Sequence, residues 1–291
     1  MISIIITAWK EPVSVRKAIS LFLEQVPKNY ELILVAPDKE TLSVGKEFAK
    51  LNKRIRIFKD QALGKSEALN IAVKSAKGDV LVLSDGDVFI GKDSLNSLLN
   101  LFENPKIGAV TGRPITLNSR KNKYGFWAHI LTQIAHVRRI RAAKKGLRFF
   151  CSGYLFAIRK DLFPHLPESL LSEDGFISHM VYSKGFRIAY SPKAEVFVKH
   201  PSNFPDWIIQ KKRSAGGYNQ IKKMLGVEMR SFKKESMGFK DFINYISNLR
   251  ELYWVISLFI ARFYLWITIF KDINLKKKSR KDIWLRVEST K

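Results

Sequence analysis

The chain has 291 residues, 46% of them hydrophobic and 26% charged, a composition that supports a substantial core and excludes wholesale disorder. Its single cysteine, Cys151, excludes an internal disulfide and a cysteine-based zinc site. The net charge of +25 leaves three kinds of partner open: nucleic acid, an anionic membrane surface, or phosphorylated substrates.

Met1 to Ala8 is apolar but short, with no basic start and no small-residue cleavage site. It reads as a first buried strand over 3–7 rather than a signal peptide. Residues 13–25 have helical spacing (Val15, Ala18, Ile19, Phe22, Leu23), with Pro12 near the start, where proline is tolerated. A second strand is predicted over 31–35, a helix over 41–51, a third strand over 54–58 and a helix over 64–76. A fourth strand over 80–83 and a helix over 94–102 follow. Strands alternating with helices of about ten residues imply crossover units and a mostly parallel sheet. After Val110 the pattern loosens. A long basic helix, or two, is expected over 121–145, a strand over 149–158 with a break at Ser152-Gly153, and a helix over 173–183. Two short strands over 187–190 and 195–198 and a helix over 205–215 complete this part.

The most informative stretch is Gly78-Asp79-Val80-Leu81-Val82-Leu83-Ser84-Asp85-Gly86-Asp87-Val88. A buried strand here ends in two carboxylates, and strand alternation puts next-but-one side chains on one face. Asp85 and Asp87 are thus expected to converge at the carboxyl edge of a sheet, where open α/β folds bind ligands. A hard divalent cation carrying phosphate oxygens suits such a pair. An Asp-Gly turn that merely caps the strand is the alternative reading of the tripeptide.

Residues 252–270 are almost wholly apolar and at helical rise extend about 28 Å, close to a bilayer's hydrocarbon thickness. Tyr253, Trp254 and Trp266 suit interfacial belts, Arg262 sits near the middle, and Lys271 and the 276–281 cluster (Lys276-Lys277-Lys278 onward) follow as on a cytoplasmic flank. Spanning, lying in the interface and a buried core helix all remain open, with membrane attachment expected.

Five elements stand in order over residues 2–213: Ile4-Ile5-Ile6-Thr7-Ala8-Trp9-Lys10-Glu11, Gly64-Lys65-Ser66-Glu67-Ala68-Leu69-Asn70, Asp85-Gly86-Asp87, Ser172-Glu173-Asp174 and Gln210-Lys211-Lys212-Arg213. Together they resemble the family 2 glycosyltransferases. The resemblance implies a GT-A (Rossmann-like) α/β fold, a mostly parallel central sheet flanked by helices, with a C-terminal hydrophobic helical segment. It implies a glycosyltransferase domain over 1–235, whose 1–115 half binds the nucleotide sugar and whose 116–235 half binds the acceptor. Residues 236–291 would form a membrane-associating region. The expected reaction is inverting transfer from a nucleotide-diphosphate sugar to a lipid-linked or membrane-proximal glycan, as in polysaccharide biosynthesis at the cytoplasmic face of the cell membrane.

The same resemblance implies roles for residues. Asp174 would be the general base taking the acceptor hydroxyl's proton, with Glu173 beside it. Thr7, Ala8, Glu11, Asp38, Lys65, Asp85, Gly86, Gln210 and Arg213 would bind the nucleotide sugar. Asp85, Asp87 and His200 would hold manganese or magnesium. Cys151, Ser152 and Gly153, in Phe149-Phe150-Cys151-Ser152-Gly153, would lie at the acceptor sugar, as in cellulose-synthase-like enzymes. Tyr124 and Trp127 are candidates for sugar stacking, with core packing the better expectation. Family members often end the second strand in two aspartates; here Ala36 and Pro37 stand there and Asp38 follows. Ser214 stands where the family's Gln-x-x-Arg-Trp motif has tryptophan. A polyprenyl-phosphate acceptor is the enzymatic alternative. A basic nucleic-acid-binding protein is the alternative of another class; the sequence shows no nucleic-acid motif to support it.

Overall fold

The computed structural model describes residues 1–168, 170–226, 245–275 and 287–290, with the backbone alone described over 273–275. The 276–281 lysine cluster lies outside them. In chain order the elements are β1 (Ile2–Thr7), α1 (Pro12–Leu23), β2 (Tyr30–Ala36), α2 (Lys39–Leu51), β3 (Ile55–Lys59), α3 (Lys65–Ser75), β4 (Val80–Asp85), β5 (Val88–Ile90), α4 (Ser94–Leu99), β6 (Ile107–Thr116), α5 (Lys123–Lys144), β7 (Leu155–Arg159), α6 (Glu173–Ser183), β8 (Arg187–Val198), α7 (Phe204–Leu225) and α8 (Leu249–Ile269). The chain divides into two compact units. The first holds Met1–Ile115, Arg139–Glu168 and Glu173–Val198; the second holds Thr116–Arg138, Ser169–Ser172 and Lys199–Lys291.

The first unit is built on an eight-stranded sheet of order β3-β2-β1-β4-β7-β6-β8-β5. Its β3-β2-β1-β4 half is parallel, as crossover helices require. β1 and β2 are buried at every position, which is why they read as mostly apolar runs rather than alternating ones. Ile4, Ile6, Leu32 and Leu34 pack with Val15, Ile19 and Phe22 of α1 in the main core. The other half is antiparallel where β7 meets β4 and β6 and where β5 meets β8. β5 and β6 have no counterpart among the elements expected from sequence. In β6, Gly108, Gly112 and Pro114 look like strand breakers, yet Gly108 and Gly112 lie where an added Cβ would meet neighbouring atoms at 2.6 Å.

Three other expectations change. The strand predicted over 149–158 is confined to Leu155–Arg159. Upstream, side chains take the backbone hydrogen bonds that a ladder would have taken: Tyr182 for Phe149, Ser178 for Cys151, Thr111 for Ser152 and Asp174 for Gly153. The two strands over 187–190 and 195–198 are one, β8, which runs through an exposed Pro192. Asp87 is not in β4 at all: the strand ends at Asp85, and Gly86 and Asp87 form the turn into β5. Strand alternation therefore does not orient the carboxylate pair; the turn does.

In the second unit, Phe126, Trp127 and Ile130 of α5, Trp207 of α7 and Trp254, Leu258 and Leu265 of α8 form a separate apolar cluster. Trp127 is fully buried and donates its indole N–H to the Trp254 carbonyl at 2.8 Å. Tyr124 meets the Trp127 ring edge-on, with centroids 5.3 Å apart. Both aromatics thus serve packing.

Candidate active site

The parallel half of the sheet sets the site. Thr7 and Asp85 are register partners at the carboxyl ends of β1 and β4, and the Thr7 hydroxyl lies 3.5 Å from Asp85 Oδ1. The Gly86 N–H donates to the Thr7 carbonyl at 2.9 Å, which locks the turn against β1. A Cβ on Gly86 would stand 2.6 Å from Ala8 Cβ, 2.7 Å from Val15 Cγ2 and 3.0 Å from Glu11 Oε2, so only glycine lets the acidic turn approach the β1–α1 connection this closely. Within that connection Lys10 adopts a left-handed backbone (φ 55°), an arrangement that costs energy for a non-glycine residue and concentrates at functional sites. Its N–H donates to Asp38 Oδ2 at 2.8 Å, while Asp38 Oδ1 accepts the Thr41 N–H at 2.9 Å as the N-cap of α2. Both Asp38 oxygens are therefore engaged in tying the β1–α1 turn to α2. Although burial works against its charge, these backbone donors hold the Asp38 carboxyl below the usual range. Glu11 is buried, and its N–H donates to the Thr41 hydroxyl at 3.0 Å.

Lys65 opens α3 after Gly64, whose φ of 115° favours glycine. Its ammonium bonds to Asp85 Oδ1 and reaches the Gly153 carbonyl at 3.4 Å. Burial alone would weaken that ammonium, but Asp85, Glu173 and Asp174 outweigh it and its pKa lies above the ordinary lysine value. Gly153 in turn gives its N–H to Asp174 Oδ2 at 3.2 Å, and Asp174 Oδ1 takes the Gly175 N–H at 2.9 Å. Glu173 Oε1 accepts the Ser66 hydroxyl at 3.2 Å. Asp85, Lys65, Gly153, Asp174 and Glu173 thus form one connected polar group, contributed by β4, α3, the segment before β7 and α6. Cys151 and Ser152 are buried just upstream. Burial pushes the Cys151 thiol up to about 12, so it is an inert, protonated packing group.

The remaining sequence-predicted residues belong to the second unit. His200 is buried, with Nδ1 3.2 Å from the Thr116 hydroxyl and its backbone N–H and carbonyl bracketed by the Asn118 amide. Gln210 and Arg213 lie three residues apart on α7 and so share a face. Gln210 Oε1 is buried and has no hydrogen-bond partner among the described residues, the kind of orphaned acceptor that a ligand or water satisfies.

A family model described as glycosyltransferase like family 2 matches residues 1–217. The chain belongs to this family. It is 24% identical over 297 aligned positions to a probable glycosyltransferase, YdaM, of Bacillus subtilis (strain 168), covering 94% of this chain and 68% of the relative. It is 23% identical over 275 positions to the poly-beta-1,6-N-acetyl-D-glucosamine synthase of Staphylococcus aureus (strain COL), covering 91% of this chain and 64% of the relative. The chain thus spans about two thirds of the length of these relatives. Among solved structures, S. aureus TarS 1–349 in complex with UDP-GlcNAc superposes with a TM-score of 0.51 at 17% identity, over 72% of this chain and 64% of that one. GalNAc-T7 with UDP, GalNAc and Mn2+ superposes with a TM-score of 0.54 at 13% identity, over 83% and 54%. These neighbours establish a GT-A type fold for the family 2 domain.

Among the described residues, no group of three or more His, Cys, Asp or Glu side chains is arranged to hold a metal ion. The chemistry of the Asp85–Asp87 turn still suits one. Magnesium-like cations are commonly bound by one or two carboxylates, with water and substrate phosphate completing the shell, and Asp85 already pairs with one cation, the Lys65 ammonium. Two participants were not singled out by sequence reasoning: Ser66, which holds Glu173, and Thr41, which holds the Glu11 turn. Ser66 sits inside the Gly64-Lys65-Ser66 run, so a signal was present; a lone threonine at a helix start carries none.

Proposed function

We propose that this family 2 domain is an inverting glycosyltransferase. It would move a sugar from a nucleotide-diphosphate sugar to a lipid-linked or membrane-proximal glycan, at the cytoplasmic face of the cell membrane. The observation that carries the reading is the connected group of Asp85, Lys65, Gly153 and Asp174. It joins a cation-stabilising carboxylate to a second carboxylate suited to base catalysis, with a lysine and a backbone carbonyl between them. Lys65 and the N-terminus of α3 offer positive potential to the donor's diphosphate. Thr7, Ala8, Glu11 and Gly86 shape the adjoining turn, and Asp38 holds that turn in place. Asp174, kept in one orientation by the Gly153 and Gly175 N–H groups, would take the proton from the acceptor hydroxyl as its oxygen attacks the anomeric carbon. Direct in-line attack inverts that carbon. Glu173 would position the start of α6 through Ser66, and the Cys151-Ser152-Gly153 segment would lie beneath the acceptor sugar, with Cys151 and Ser152 packed inward. Asp85 and Asp87 would hold a divalent cation, which when bound neutralises charge on the leaving diphosphate. For His200 as a further ligand and for Gln210 and Arg213 at the diphosphate, the reading rests on sequence order, supported at Gln210 by its orphaned oxygen.

Thermal unfolding against a panel of nucleoside diphosphates and nucleotide sugars, with manganese or magnesium, tests donor binding, because a ligand of the native state raises the unfolding temperature. A metal-dependent rise for one nucleotide is expected; no rise with any of them would overturn the reading. In a transfer assay, loss of a general base is expected to cost about 10²–10⁴ in kcat for Asp174→Asn, and Asp87→Ala to abolish turnover. If Asp174→Asn turns over normally while Asp87→Ala does not, the acceptor is a lipid phosphate that needs no base.

A further inference from the structure

α8 is the described helix long and apolar enough to cross a membrane, and its two faces have different surroundings. On one face Trp254, Val255, Leu258, Ala261, Leu265 and Ile269 are buried in the cluster shared with α5 and α7. That burial runs from the first turn to the last. Ion pairs fasten both ends. Arg120 grips Glu251 with two bonds of 2.9 Å, Nε to Oε1 and Nη2 to Oε2, and Lys212 of α7 pairs with Asp272 just past the helix.

The opposite face is apolar and open. Leu249, Tyr253, Ile256, Ile260, Phe263, Ile267 and Phe270 are all exposed, from 38% for Ile267 to 83% for Leu249. Their alternating spacing of four and three residues draws a single stripe along the helix, about 31 Å long at helical rise. The charges beside it have one sign. The only acids between 249 and 275 are Glu251 and Asp272, and both are buried in ion pairs. Arg250 and Lys271 are exposed and Arg262 is half-buried.

We propose that α8 is an in-plane anchor, with its stripe sunk into one leaflet of an anionic bilayer and its other face retained by the protein. This deepens the membrane association proposed above and rests on it. A crossing orientation conflicts with the packing. It would either strip α8 from its cluster and break both ion pairs, or draw in α7 with Lys211, Lys212, Arg213, Lys222 and Lys223, and charged side chains are costly at the bilayer centre. A second copy of the chain is a poorer occupant, because the stripe's positive charges would face the same set. An amphipathic helix with aromatic and aliphatic residues on one side and Arg and Lys at its flanks is instead suited to the interface.

The test uses the full chain. Vesicles of phosphatidylcholine mixed with phosphatidylglycerol should bind it, and binding to phosphatidylcholine alone should be weaker by about fivefold for each cation that meets the surface. The double variant Ile260→Glu/Phe263→Glu should lose at least about tenfold in vesicle binding. It should keep the wild-type unfolding temperature and any nucleotide-induced rise in it, which separates this outcome from failure of the glycosyltransferase reading. Alkaline carbonate should release the wild-type chain from membranes of expressing cells. Carbonate-resistant protein would show a crossing helix and overturn the in-plane anchor while leaving membrane association intact. A chain that ignores vesicles, whether it dimerises through the stripe or stays monomeric, would overturn the lipid as occupant.

Discussion

Replacing Lys65 with methionine removes one charge while keeping most of the side chain's volume. The ammonium bonds to Asp85 and also feels Glu173 and Asp174. A unit charge pair about 4 Å apart is worth about 4 kcal/mol at an effective dielectric of 20, and desolvation of both partners offsets part of that. The Lys65 and Asp85 side chains are 25% and 27% exposed, so solvent screening reduces it further, leaving about 2 kcal/mol. For a chain of 291 residues that corresponds to a fall of about 3 °C in Tm, read by calorimetry or circular dichroism. The pH dependence has a definite sign. The folded pKa of Lys65 lies above its ordinary value, so its stabilisation is complete below the unfolded pKa and disappears as pH rises through the folded one. The gap between wild type and Lys65→Met should therefore stay level from neutral pH to about pH 10 and close above it. On the proposed function, losing a charge-assisted bond to the diphosphate should also lower kcat/KM by about 10–100-fold. A variant with an unchanged Tm and a kcat/KM within about twofold of wild type would refute the reasoning.

Other substitutions probe separate contacts. Gly86→Ala forces a methyl group to within 2.6 Å of Ala8 Cβ and 2.7 Å of Val15 Cγ2; overpacking of this kind should cost about 1–3 kcal/mol in denaturant unfolding. Asp38→Ala removes the α2 cap and should cost about 1 kcal/mol at neutral pH, with Asp38→Asn recovering much of it. Because the folded Asp38 pKa is depressed, that cost should be fully present above the ordinary carboxylate range and vanish as pH falls through the folded value. Glu251→Gln leaves Arg120 without its anionic partner at the start of α8; unfolding of the second unit should become easier by about 1–2 kcal/mol, and a double-mutant cycle with Arg120→Gln should show strong coupling. Native Cys151, buried and with its pKa pushed up to about 12, should resist alkylation at pH 8 until the chain is denatured; rapid native labelling would contradict its place in the fold.

Much of the first unit is legible along the chain because its information is local. β1, β2 and β4 are mostly apolar runs between amphipathic helices, and a parallel βαβ arrangement with both sheet faces covered demands that pattern. Asp85, Lys65 and Asp174 could each be picked out by residue type within short motifs. Their connection could not, since the link from Lys65 to Asp174 passes through the backbone of Gly153, 88 positions from Lys65. The same limit hid β6, whose glycines and proline look like breakers until their close neighbours are known. It also left the 149–154 segment looking like a strand, because the side chains that satisfy its backbone lie at positions 111, 174, 178 and 182.

Composition and pattern by themselves determined a basic α/β protein with two carboxylates at the end of a buried strand and one long apolar segment near the C-terminus. Only the tertiary structure decided that Asp87 belongs to the turn, that Asp38 is held at both oxygens, and that the apolar segment is fastened at Glu251 and Asp272 with a single face left open. Hydrophobic periodicity records how much surface a helix must cover. Which neighbour covers it depends on contacts between residues more than a hundred positions apart, such as Arg120 with Glu251 and Trp127 with Trp254.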